Sequence, residues 1–173
     1  DVTSWWPNMV GPGLAFDTDK YFIICPNVIG GCQGSTGPSS IAPDGKRYGS
    51  RFPVVTVRDM AEAEILFSDA IGIKKYLLAV GPSLGGMRSL EWAIEHPDRV
   101  GAICTIGSSA VATGDQIGGF SVQIRAIKSD PNFNGGDYYE QEVGPIEGMG
   151  IARRIAHLTY RTESEMDVRF GRQ

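Results

Sequence analysis

The sequence predicts an α/β protein: part of a parallel, doubly wound sheet, with a helical lid segment in the C-terminal third. Three observations predict it. Short apolar runs at 21–25, 76–80 and 100–106 alternate with helical patterns, and parallel neighbours need such crossovers. The 23 glycines and 10 prolines cluster between these segments, as loops do, rather than spreading as low complexity. Beyond Ser109 the texture changes to helical patterns with no convincing strand. The expected division is 1–112 for the sheet part and 113–173 for the helical lid or insertion.

Each element has its own signal. Tyr21-Phe22-Ile23-Ile24-Cys25, entered from Asp17-Thr18-Asp19 and left through Pro26-Asn27, reads as a buried strand. The loop 30–53 that follows is too long for a mere connector. Thr56 is placed to cap a helix that starts near Arg58, turns Met60, Ala63, Ile65 and Leu66 to the core, and ends before Gly72. Tyr76 to Val80 reads as a second buried strand. A Gly81-Pro82-Ser83-Leu84-Gly85-Gly86 turn then opens a helix from about Met87 to Glu95, closed by His96-Pro97. Val100 to Ile106 is the third strand, and helices are expected over roughly 115–129, 148–158 and 163–170.

Composition excludes several classes. With 16 basic and 20 acidic side chains the net charge is −4, which gives no electrostatic reason to bind nucleic acid or an anionic membrane. No apolar run approaches a membrane span, and no basic-then-apolar signal segment opens the chain. Cys25, Cys32 and Cys104 are too few and too scattered for a disulfide framework or a zinc site. The expectation is a cytoplasmic globular protein that holds no metal and no bound cofactor.

Gly81-x-Ser83-x-Gly85 follows a strand and precedes a helix, the context of a nucleophile elbow. Side chains at 81 or 85 would collide across the tight turn, which lifts the Ser83 hydroxyl to the end of the sheet. The Leu84 N–H, at the helix N-terminus, is then aimed where a tetrahedral oxyanion would form. The bland alternative is a small-residue strand-to-helix turn. Pro82 is a departure, because it removes a donor just before the serine. Neither histidine is a well-placed base. His96 reads as a cap at the far end of the elbow helix, and His157 as a structural or supporting residue in the lid. The 30–40 loop is Gly-rich but lacks the lysine and spacing of a phosphate-binding loop, so it reads as packing beside the site entrance. Cys32 reads as a buried structural cysteine, and Arg58-Asp59 as an ion pair or helix-start feature.

These residues resemble a known family. Asn27-Val28-Ile29-Gly30-Gly31-Cys32-Gln33-Gly34-Ser35-Thr36-Gly37-Pro38-Ser39-Ser40 resembles the signature loop of the homoserine O-acetyltransferases, acyltransferases of methionine biosynthesis with the α/β-hydrolase fold. Trp5-Trp6, 52–59, the elbow, Leu90-Glu91-Trp92-Ala93, 96–100, Gly135-Gly136-Asp137-Tyr138-Tyr139, Ala152-Arg153, 157–161 and 169–171 are similar to the same family, collinearly over essentially the whole chain. Where the family usually has Gly-Gly-Ser-Met-Gly-Gly, this chain has Gly-Pro-Ser-Leu-Gly-Gly. The resemblance implies that Ser83 takes an acetyl group from acetyl-CoA and passes it to L-homoserine, with Leu84 N–H as half of the oxyanion hole. It implies that Arg153 pairs with the homoserine carboxylate. Tyr160, seven residues on and so on a similar helix face, reads as a pocket-lining partner for it. On its residues alone, Arg153 beside Arg154 reads as a solvated lid charge rather than a binding residue. The resemblance places the other oxyanion donor upstream of residue 1, and the triad Asp and His downstream of Gln173. The expectation is therefore an internal fragment with negligible transferase activity alone.

Two readings compete with acetyl transfer. One is ester or amide hydrolysis, or homoserine O-succinyl transfer, on the same scaffold. The other is a non-catalytic piece whose helical segment self-associates. A homodimer through that segment is the expected assembly.

Overall fold

A computed structural model describes residues 6–172; Trp5 of the aromatic pair lies outside them. In chain order the elements are α1 (Val57–Ala70), β1 (Ala79–Pro82), α2 (Leu84–Glu95), β2 (Ile103–Ile106), α3 (Gly114–Lys128), α4 (Ile146–Thr159) and α5 (Glu163–Phe170). β1 and β2 pair in parallel with Ala79 opposite Ile103 and Pro82 opposite Ile106, and a Tyr76–Val100 bridge extends the pairing. The right partner for such a pair is a crossover helix, and α2 fills that role, packing on both strands and on α1. Among the described residues no helix is long and apolar enough to cross a membrane.

Ala61, Ile65, Trp92 and Val100 form the core, with Tyr76, Ala79 and Ile103 packed around it. Tyr76 meets Trp92 edge-on, with ring centroids 5.5 Å apart. α1 starts where the sequence places it. Thr56 accepts from Asp59 N–H while the Asp59 side chain accepts from the Thr56 backbone, a reciprocal capping box. The Thr56 hydroxyl also donates to Asp59 Oδ2 at 2.7 Å, and that bond, with the one from Thr56 N–H, holds the Asp59 carboxyl below its usual range.

Three expectations are corrected. Tyr21–Cys25 is no buried strand: the run has no ladder partner among the described residues, and Phe22 is 80% exposed. An apolar run becomes a strand only where a neighbour takes its N–H and C=O groups. The second strand begins three residues later than the apolar run that signals it, at Ala79, and the third at Ile103. The face of α1 is also different. Ala61, Glu64, Ile65 and Ser68 are buried, whereas Leu66 is 69% exposed. That stripe has ideal helical spacing, but two of its members are polar and hydrophobicity alone misses them. Ser68 is buried because its hydroxyl donates to the Glu64 carbonyl at 2.6 Å and lies 2.9 Å from Tyr76 Oη.

The three C-terminal helices form within one or two residues of their expected spans. α3 and α4 pack on each other. A Cβ on Gly148 would lie 2.5 Å from the Ala126 carbonyl oxygen, so only glycine permits this crossing. Pro145 leaves the N-terminus of α4 without a cap of its own, and Asp130 supplies one from outside. Its carboxylate accepts from Asn132 N–H and from Gly148 N–H, each at 2.8 Å. Those backbone donors, Gly148 first, hold the Asp130 carboxyl below its usual range.

Candidate active site

β1 delivers the chain to Ser83, whose N–H continues the ladder by donating to the Ile106 carbonyl at 2.9 Å. The Ser83 carbonyl already belongs to α2, accepting from Gly86 N–H at 2.9 Å and Met87 N–H at 3.2 Å. The turn between these commitments holds Ser83 at φ 52°, ψ −120°, a conformation non-glycine residues avoid. Such strain persists only where the surroundings over-determine it, and it clusters at catalytic residues. The side chain is left exposed at the end of the sheet, at the positive end of α2.

The glycines differ in how strictly they are needed. A Cβ on Gly81 would lie 2.5 Å from the Gly85 carbonyl carbon, and one on Gly86 would lie 2.6 Å from Ser108 Cβ. Gly85 is less constrained, since its Cβ would approach only Pro82 Cδ, at 3.4 Å. Pro82 fits for a simple reason. In a parallel strand alternate residues donate to opposite neighbours, and Ala79 and Ser83 donate to β2. Pro82 lies between in that alternation, so its missing N–H is not taken from the β1–β2 ladder.

Leu84 is the first residue of α2, and its N–H has no acceptor among the described residues. It is therefore free to donate to a developing oxyanion beside Ser83. His96 is engaged elsewhere: it caps the far end of α2, and its Nε2 lies 2.6 Å from Glu62 Oε1. His157 is exposed on the last turn of α4. Arg153 is exposed on α4, and Tyr160, at the C-cap of α4, is 77% exposed. α4 packs on α3, so Arg153 and Ser83 belong to separately packed groups of elements. The loop before α1 meets the segment between α3 and α4 where Asp137 accepts from Ser50 N–H at 2.7 Å and Ser50 Oγ at 2.9 Å, and where Arg47 pairs with Glu140 at 2.6 Å. Both hydrogen bonds from Ser50, the backbone one foremost, lower the Asp137 pKa.

The loop 27–40 is tied to itself. Gly30 N–H donates to Thr36 O at 2.8 Å, Ser35 Oγ to Asn27 O at 2.7 Å, and a Cβ on Gly37 would lie 2.6 Å from Gly31 O. Cys32 is exposed, which corrects the expectation of a buried cysteine; the loop turns its backbone inward to make these bonds. Arg58 and Asp59 do not pair with each other. Arg58 bridges to Glu91 at 3.2 Å and Glu95 at 2.8 Å on α2, while Asp59 caps α1. Among the described residues no three His, Cys, Asp or Glu side chains converge as a metal site.

Sequence reasoning missed a buried polar group behind the elbow. Glu64 accepts from Arg88 Nη2 and, at 2.8 Å, from Trp92 Nε1. The available signal was helical spacing, because Glu64 lies three residues after Ala61 and four before Ser68 on the buried stripe.

A family model for the alpha/beta hydrolase fold matches residues 2–173. The chain belongs to this family. Within it, the chain is 54% identical over 169 residues to homoserine O-acetyltransferase of Thermobifida fusca (strain YX), covering 97% of this chain and 45% of that protein. It is 55% identical over 170 residues to the homoserine O-acetyltransferase of Nocardia farcinica (strain IFM 10152), covering 98% and 44%. The chain thus spans somewhat under half the length of these curated relatives. Among solved structures, homoserine O-acetyltransferase from Bacillus anthracis superposes with a TM-score of 0.90 at 32% identity, over 100% of this chain and 48% of that one. Esterase E22 superposes with a TM-score of 0.88 at 29% identity, over 96% and 48%.

Proposed function

We propose that the protein carrying this chain is an acyl-CoA-dependent O-acyltransferase, moving the acetyl group of acetyl-CoA to the hydroxyl of L-homoserine. The observation that carries the reading is Ser83, held at positive φ between β1 and α2 beside the free Leu84 N–H. In the first half-reaction the Ser83 oxygen attacks the thioester carbonyl, the C–S bond breaks, and CoA leaves as the thiol with the serine proton. In the second the homoserine hydroxyl attacks the acyl-serine and Ser83 regains a proton. Leu84 N–H donates to the oxyanion in both steps. The proton carrier in this reading is a histidine with an aspartate partner, which the family resemblance places after Gln173. His96 is committed to Glu62 instead.

In this reading Arg153 holds the acceptor carboxylate as a planar two-pronged donor, with Tyr160 lining the same pocket. A role in methionine biosynthesis, a cytoplasmic location, acetyl-CoA as co-substrate rather than bound cofactor, and a homodimer through the helical segment belong to the same reading. Support comes from the relatives named homoserine O-acetyltransferase and from the 27–40 loop. Hydrolysis is the second reading, favoured by the likeness to esterase E22.

Initial rates of the whole protein with acetyl-CoA and homoserine separate the two. Parallel double-reciprocal lines with O-acetylhomoserine as product support transfer, whereas acetate release unaffected by homoserine supports hydrolysis. Arg153→Lys keeps the charge and loses the fork, so kcat/KM for homoserine is expected to fall roughly tenfold to a hundredfold with acylation by acetyl-CoA nearly unchanged. Arg154→Lys is the control, since successive helical residues point about 100° apart.

A further inference from the structure

The carboxylate of Glu64 lies between α1 and the elbow helix, and the acyl-transfer reading gives it no role. Its side chain is 11% exposed and that of its partner Arg88 is 18% exposed. Arg88 and Trp92 are four residues apart on α2, on one face, and each donates to a different oxygen of Glu64. Glu64 is the ion-pair partner of Arg88 among the described residues, and Arg88 Nε is buried without an acceptor there. Such a group is a poor way to gain stability, because a buried pair is often no better than apolar side chains of the same volume. What it supplies is direction. Two bonds one turn apart fix the rotation and depth of α2, which apolar packing leaves looser. The first turn of α2 is also where the Ser83 carbonyl is captured by Gly86 and Met87.

We propose that Glu64 is a positioning residue for Ser83: through Arg88 and Trp92 it holds α2 so that the elbow backbone keeps its positive-φ conformation and Leu84 N–H its aim. This rests on the reading of Ser83 as nucleophile. The other polar contact of α1, from Ser68 to Tyr76, reaches α2 only through the edge contact of Tyr76 with Trp92 and makes no hydrogen bond to α2.

The test is the saturable reaction of Ser83 with a fluorophosphonate probe in the whole protein, giving kinact and KI, together with the thermal midpoint of each variant. Glu64→Gln leaves Trp92 an acceptor but strips Arg88 of its counter-charge. It is expected to lower kinact about tenfold to a hundredfold and change KI less than about twofold. The double variant Glu64→Gln, Arg88→Met removes both charges, and carries the test if the single variant does not fold. Its midpoint is expected to return toward wild type while kinact stays low. Recovery of kinact together with the midpoint would overturn the proposal and leave the pair a stabilising contact only. Wild-type protein that labels no faster than Ser83→Ala would instead defeat the nucleophile reading, and the proposal with it.

Discussion

At the elbow, glycine at 86 lets α2 come down on Ser108, and a carboxylate from α1 grips α2 at Arg88 and Trp92. At the α3–α4 crossing, glycine at 148 lets α4 come down on Ala126, and a carboxylate from the preceding turn grips α4 at Gly148 N–H. The two devices look alike, but the donors differ. Glu64 reaches side chains in the core, so its grip on α2 depends on that particular arginine and tryptophan. Asp130 reaches backbone N–H groups, which any sequence at the start of α4 would offer. The elbow is therefore the more exacting region, and the helical pair the more forgiving one.

The largest expected effect tests the elbow side. Trp92→Ala removes a buried ring, the edge contact with Tyr76 and a donor to Glu64, and should destabilise by about 3–5 kcal/mol in denaturant unfolding. A loss no larger than that of a half-exposed helix residue would mean the core does not centre there. On the helical side, Gly148→Ala forces α4 away from Ala126 and should cost about 1–3 kcal/mol. Gly118→Ala, in α3 with open space around its Cβ position, should do the opposite and stabilise by about 0.5–1 kcal/mol. Equal signs for these two glycines would show that the crossing is not tight.

The smallest effect is confined to acid. The Asp130 carboxyl is depressed in the folded state below its ordinary value of 3.8. Its contribution is complete above that value and is lost as pH falls through the folded pKa. Asp130→Asn should flatten this part of the acid-unfolding curve and lower amide protection at the start of α4 while leaving α2 unchanged. Loss of protection in both helices would show that the two regions unfold as one.

Legibility in the sequence followed the same divide. The Thr56 cap, the Gly81–Gly86 turn and the three C-terminal helices could be read directly, because caps, turns and helical periodicity are local. The strand at Tyr21–Cys25 could not, since a strand needs a partner and apolarity does not say whether one is present. Nor could the buried face of α1. Glu64 and Ser68 face inward because Arg88, Trp92 and Tyr76 meet them there, a fact about residues eight to 28 positions away. Ser83 was legible as a motif, whereas Arg153 became a candidate through family resemblance, and Tyr160 through its place two helical turns beyond Arg153.

Acyl transfer as proposed rests on Ser83 carrying the acyl group. Brief mixing of the whole protein with acetyl-CoA in the absence of homoserine, acid quenching and peptide mass measurement tests it directly. The expected result is an acetyl mass increment on the peptide containing Ser83, absent from Ser83→Ala and discharged as O-acetylhomoserine when homoserine is added. Acetyl label that persists on Ser83→Ala protein, or O-acetylhomoserine formed by that variant at the wild-type rate, would contradict it.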